Sequence, residues 1–213
     1  MDGHFPIKLA TMLIHPWDAA EDDQWRTWLA EHDFGQLIAS GRDRDVPVVV
    51  PAHFTFDGDA TVRLHLARPN PVWAAVQENP RVLLAVIGDY SYVPAGWSDT
   101  GVPTSYYASV QLTCTARVLD DPAEKAALLT RQLGHFEPPD GRAAASETDE
   151  ADRRLLPGIR GLELAVTDVR AKFKYGGNKA VEVRERVADR LAERDGPHDT
   201  AARQHLLRGI SPA

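Results

Sequence analysis

The chain lacks what several large protein classes require. Its one cysteine in 213 residues, Cys114, excludes an intrachain disulfide and any zinc site built from several thiolates. No stretch approaches the ~20 consecutive apolar residues of a membrane-spanning helix. The opening MDGHFPIKLATMLIHPWD has no basic segment leading into a clear apolar one, so no secretion signal is expected and the cytoplasm is the expected compartment. GxSxG, HExxH, the Walker loop and GxGxxG are all missing, which removes the motif-based case for four enzyme classes. There is no internal repeat and no helix-turn-helix signature.

Composition is that of an ordinary globular protein, 43% hydrophobic and 26% charged, and long enough for a substantial core. The net charge of −7 is unevenly spread. Residues 170–213 carry ten Lys/Arg against six Asp/Glu, about +4, which leaves about −11 on the rest. An acidic body binds nucleic acid poorly. The basic tail suits a small anion, a carboxylated cofactor or an acidic surface.

DAAEDDQWRTWLAEHD (18–33) spaces Trp25, Trp28 and Leu29 as a helix does, with Asp18 as its expected N-cap. FGQLIAS (34–40) reads as a strand. VPVVVPAHFTF (46–56) reads as one β-rich run that turns at Asp57-Gly58-Asp59 into the alternating strand TVRLHLA (61–67). Asn70-Pro71 opens a short helix, and RVLLAVIG (81–88) is an apolar strand. TSYYASVQLTCTARVLD (104–120) is a long strand. Asp121-Pro122 then starts a helix, with Glu124 completing a capping box. GLELAVTDVRAKFK (161–174) is the last strand, and helices follow over roughly 180–193 and 199–208. The expected organisation is one domain over 1–213, with a helical segment at 1–33, a mobile Pro/Gly/Ala-rich loop at 137–150 and a helical extension at 179–213. Five to seven strands with close early turns leave no room for helical crossovers there. They point to a small antiparallel barrel with helical decoration, mainly β in an α+β arrangement.

Some residues stand out chemically. His53 and His65 flank the turn at 57–59 on adjacent strands of an expected hairpin. They are either two half-buried strand histidines or a metal or haem ligand with a proton carrier beside it. Arg68 lies in a turn before a helix N-terminus, where it can meet a carboxylate or phosphate or simply face water. Tyr90, Tyr92, Trp97, Tyr106 and Tyr107 can wall a planar cofactor or pack as strand core. In KFKYGGNK (172–179), alternation puts Lys172 and Lys174 on one face, Gly176-Gly177 make a turn, and Asn178 can cap the next helix. Cys114 has no neighbouring base and is expected to be inert. His4, His15, His32, His135, His198 and His205 show no paired spacing and read as surface or packing residues.

FGQLIAS, PAHF, HLARPNPVW, YSYVPAGW, VPTSYYASVQ, ARVLDDPAEKAALL and GLELAVTDVRAKFK, in this order and spacing, resemble the PaiB-type FMN-binding split-barrel family, often labelled negative transcriptional regulators. The resemblance covers about 34 to about 180. It implies a six-stranded antiparallel split β-barrel with peripheral helices, and a homodimer with a planar cofactor near the subunit interface. One motif departs: where the family pattern reads KFKLSQNR, this chain reads KFKYGGNK. In that departure and in its extended helical C-terminus the chain most resembles the piperazate synthases, haem-dependent relatives that close N5-hydroxy-L-ornithine to L-piperazic acid and water. That resemblance implies haem b held by His65, with His53 as second choice of ligand and otherwise a catalytic group. It further implies Arg68, Lys172 and Lys174 at the propionates or the substrate carboxylate. Asn70, Trp97 and Asn178 would complete the cofactor-facing set, with Tyr106, Tyr107 and Lys179 as proton carriers or pocket walls. The alternative is an FMN-binding oxidoreductase or regulator. Expected partners are a small amino-acid substrate and a second copy of the chain, with no membrane and no nucleic acid.

Overall fold

The computed structural model describes residues 12–42, 44–98 and 101–210; the opening segment, with His4, lies outside the described residues. Seven strands form one sheet: β1 (Phe34–Ala39), β2 (Val48–His53), β3 (Thr55–Phe56), β4 (Thr61–Ala67), β5 (Arg81–Val93), β6 (Thr104–Leu119) and β7 (Ile159–Lys174). Their order is β2-β1-β5-β6-β7-β4-β3, and the β1–β2, β1–β5, β3–β4 and β4–β7 ladders are antiparallel. Among the described residues six α-helices accompany them: α1 (Asp22–Ala30), α2 (Val72–Glu78), α3 (Pro122–Phe136), α4 (Glu150–Leu155), α5 (Val181–Arg194) and α6 (Asp199–Leu207). The chain divides into two compact units. The larger comprises Glu21–Gly88 and Ala108–Val169, the smaller Met1–Ala20, Asp89–Tyr107 and Arg170–Ala213.

In the larger unit the run 46–56 is not one strand. It breaks at Phe54, fully buried, whose N–H donates to the Asp33 carbonyl (2.8 Å). Its first half pairs with β1 and its second with β4, so two strands at opposite edges of the sheet are joined by a single residue. Such a sheet must roll until its edges approach, which makes a split barrel rather than an open layer. The break also makes seven strands of the expected six. The β3–β4 turn is held by Asp57, whose Oδ1 accepts from the N–H groups of Asp59, Ala60 and Thr61 (2.9–3.0 Å). Val62 and Leu64 point into a core with Leu37, Leu84, Leu112 and Leu162, all fully buried. Each such side chain contributes about 2 kcal/mol by leaving water.

The helix starts follow local chemistry. Asn70 Oδ1 accepts from Val72 N–H (3.0 Å), and Asp121 Oδ1 from Ala123 and Glu124 N–H (2.9 and 3.1 Å). The expected capping box at α3 is only half made, because the Glu124 carboxylate pairs with Arg117 (2.7 Å). Helix α1 begins at Asp22 with Glu21 at its N-cap position, so Asp18 is not its cap and sits instead in a short 3-10 turn, Pro16–Asp18. Helix α4 is absent from the sequence reading, although Asp149 caps it with bonds to Ala151 and Asp152 N–H (3.0 and 3.1 Å).

In the smaller unit β5 continues five residues past its expected end, through Asp89, which adopts φ +53°. Helices α5 and α6 bury Val187, Leu191 and Leu206. The Arg194 guanidinium binds Asp199 (2.6 Å) and Ser91 Oγ (2.7 Å), and Ser91 Oγ donates to Asp199 (2.8 Å). The Asp199 carboxyl is pulled down to about 2, first by the Arg194 hydrogen bond. Tyr175 stacks on His205, which contacts Asp89 Oδ2 at 3.1 Å, and the Tyr175 hydroxyl donates to the Asp89 carbonyl (3.1 Å). Among the described residues no helix is long and apolar enough to cross a membrane.

Candidate functional site

The expected chemical residues form two groups, one in each unit. In the larger unit His53 and His65 do meet, with ring centroids 5.4 Å apart in a T-shaped contact. They meet because the sheet rolls, not because their strands pair. His53 lies on β2, whose partner is β1, whereas β4 pairs with β3 and β7. Helix α3 supplies the next layer. Its Gln132, 4% exposed, places Oε1 2.6 Å from His65 Nδ1, so Nδ1–H donates to it. Among the described residues Nε2 has no hydrogen-bond partner. Phe136 packs edge-on against His53 (5.1 Å), and His135 contacts Asp33 (2.9 Å). Burial pushes the His53 imidazole below the ordinary histidine value and the neighbouring His65 adds to this, with Asp33 opposing both. Among the described residues no cluster of three or more His, Cys, Asp or Glu could hold a metal ion. One-histidine ligation of a haem iron requires an imidazole nitrogen free of other bonds on a ring fixed from behind by an acceptor.

The smaller unit contains a cavity of about 300 Å³, lined among others by Asp18, Tyr106, Lys174, Asn178 and Lys179. The YGG stretch shapes it. Gly176 has φ +69°, and a Cβ there would lie 2.7 Å from the Tyr106 hydroxyl; a Cβ on Gly177 would lie 2.3 Å from the Trp17 carbonyl oxygen. Lys174 Nζ donates to Thr104 Oγ1 (3.0 Å), and Lys172 Nζ to the Leu13 carbonyl (2.9 Å). Both ammonium groups also lie over Tyr107, 5.8 and 5.7 Å from its ring centre. Asp18 is 4% exposed, and burial lifts its carboxyl above the usual range despite Lys172, His15 and Lys174. Burial likewise raises the Tyr106 phenol.

Other expected site residues are engaged elsewhere. Arg68 donates to the Pro157 carbonyl (2.6 Å) and to Asp120 (2.5 Å), and this bond is the main pull lowering the Asp120 carboxyl. Asn70 accepts from the first N–H of α2, whose N-cap position is Pro71, and Trp97 lies under the Arg194 guanidinium (4.8 Å). Asn178 does not cap α5, whose N-cap position is Ala180; it faces the cavity instead. Tyr90 and Tyr92 are about half exposed. Cys114 is buried, and its thiol is pushed up to about 12, as its inert reading requires. Sequence reasoning missed Gln132, Asp18 and the His15–Trp17 stack (4.7 Å). Gln132 did leave a signal, a polar residue four positions after buried Leu128 on the inward face of α3.

A model of the family described as "Putative FMN-binding domain" matches residues 12–168. The "Protease synthase and sporulation protein PAI 2" of Bacillus subtilis (strain 168) is 25% identical over 177 residues, covering 80% of this chain and 84% of its own. Among solved structures, the FAD and heme binding protein of Mycobacterium smegmatis superposes with a TM-score of 0.60 at 20% identity, covering 81% of this chain and 79% of that one. The flavocytochrome Anf3 of Azotobacter vinelandii gives 0.60 at 18% identity, covering 79% and 75%. At these identities the structural likeness is one of fold.

Proposed function

The chain belongs to this FMN-binding family of split barrels, and on that premise we propose that it is a haem-dependent enzyme closing an intramolecular N–N bond, from N5-hydroxy-L-ornithine to L-piperazic acid and water. The observation that carries the haem part is the state of His65: Nδ1–H held by Gln132 and Nε2 open. Two solved structures of this fold, by their names a heme binding protein and a flavocytochrome, support the fold's capacity for haem. The substrate part rests on the resemblance of the KFKYGGNK motif to the piperazate synthases; its two glycines leave no room for the larger side chains of KFKLSQNR.

In this reading His65 Nε2 would hold the iron, Gln132 fixes the imidazole tautomer, and His53 meets the His65 ring edge-on and is itself packed by Phe136. Bound haem supplies a Lewis acid for the hydroxylamine oxygen. The reaction needs no net oxidation: the α-amine nitrogen bonds to N5, the N–O bond breaks, and the amine proton and the oxygen leave as part of water. The protein must therefore take one proton and return one. In this reading His53, whose ring meets that of His65 within the same unit, takes and returns that proton. We place the homodimer contact on the outer face of β1, β2 and β5, where Phe34 (62%), Val49 (49%) and Ile87 (70%) stand exposed.

The second reading is an FMN-binding oxidoreductase or regulator, favoured by the family's own description and by the basic groups at the cavity. The visible spectrum separates the two. A Soret band after haem reconstitution supports the first, and a yellow protein with flavin absorbance and no Soret band selects the second.

A further inference from the structure

We propose that the smaller unit's cavity is a receptor for the amino-acid end of a compact ligand, with Asp18 taking the α-ammonium and Lys179, helped by Lys174, taking the carboxylate. Asp18 carries the argument. The residue is 4% exposed and lines the cavity, and among the described residues its carboxylate accepts no hydrogen bond and has no lysine nitrogen within 4.0 Å. Buried carboxylates are otherwise paired or hydrogen-bonded, because leaving water without a donor is unfavourable. A ligand ammonium is the donor that this site lacks.

The opposite charge is equally uncommitted. Lys179 is half-buried and its ammonium has no hydrogen-bond partner among the described residues, and the Lys174 ammonium donates to the neutral Thr104 hydroxyl and lies over the Tyr107 ring. The Tyr106 hydroxyl adds an unpartnered donor, kept clear by Gly176. A phosphate dianion would gain the lysines but face Asp18, and a plain diamine would gain Asp18 but face the lysines. A zwitterion satisfies both signs at once. At about 300 Å³ the cavity sits at the small end of ligand pockets, matching an amino acid rather than a nucleotide. Val93 and Val183 offer apolar surface to its methylenes. The charge pattern stands without any cofactor; the choice of ornithine as the ligand rests on the function proposed above.

The test is calorimetric titration of the purified full-length protein with L-ornithine, 5-aminovalerate, putrescine and inorganic phosphate. L-Ornithine binds tightest. Omitting the α-amine or the carboxylate weakens binding about 10- to 100-fold, the effect of one lost charge-assisted hydrogen bond. Asp18→Asn and Lys179→Met each lower L-ornithine affinity by a similar factor. Because Asp18 supports no structural bond, Asp18→Asn keeps or raises the melting temperature. Unchanged ornithine binding in Asp18→Asn, phosphate binding as tightly as ornithine, or a marked fall in melting temperature would each overturn the proposal. A protein without a Soret band that binds L-ornithine through Asp18 sinks the haem reading and keeps this one. A Soret band with no ornithine binding does the reverse.

Discussion

The two units treat their polar groups differently. In the larger unit several charged side chains have found protein partners: Arg68 with Asp120, Arg63 with Glu163, His135 with Asp33. Among the described residues the groups left open include His65 Nε2, on a ring tied down at Nδ1, and the Nε2 of Gln132. In the smaller unit a saturated network, Arg194–Asp199–Ser91 and His205–Asp89, stands in contrast to a cavity whose Asp18, Tyr106 and Lys179 have no such partners. Satisfied groups hold structure, and unsatisfied buried ones await a ligand. The contrast predicts different outcomes for removing the two kinds.

The largest effect belongs to the saturated network. Asp199→Ala takes away the buried partner of Arg194, which keeps Ser91 and the Tyr92 carbonyl, and costs about 3 kcal/mol in denaturant unfolding. The same pair sets an acid dependence. With its folded value near 2, below the ordinary 3.8, Asp199 contributes about 2 kcal/mol above pH 4. That contribution falls away as the pH drops from 4 through 2, and a flat urea midpoint across that window would break the comparison. Gly177→Ala drives a Cβ into the Trp17 carbonyl and costs about 3 kcal/mol. Gln132→Leu sharpens the contrast from the other side. It removes the acceptor behind His65 and lowers haem affinity about 10- to 100-fold in reconstitution titrations. Because Gln132 Nε2 is buried without a partner, the apoprotein is as stable as before or more so. Arg68→Ala, at an ion pair about 40% exposed on each side, lowers stability by under ~1 kcal/mol by thermal melt.

Much of this was legible in the sequence. Alternation at Val62, Leu64 and His65 put the histidine opposite the core, and Asp57-Gly58 and Asp121-Pro122 marked their turn and cap. What escaped depended on distant segments. Nothing local in PAHFTF says that the chain changes sheet edge at Phe54, because the requirement comes from the rolled sheet and the Asp33 carbonyl. Asp18 looked like a helix cap because acids crowd residues 18–23, whereas the helix starts later and the carboxylate turns to the cavity. The glycines of YGG announced a close approach, but the atoms approached, Tyr106 and Trp17, lie far away in sequence.

The central claim is that His65 Nε2 is an iron ligand, and the absorbance spectrum of the haem-reconstituted protein and of His65→Ala between 300 and 700 nm tests it most directly. The account predicts a Soret band in the wild type and a shifted or lost band in His65→Ala. A colourless or yellow wild type, or an identical spectrum in the variant, would contradict it.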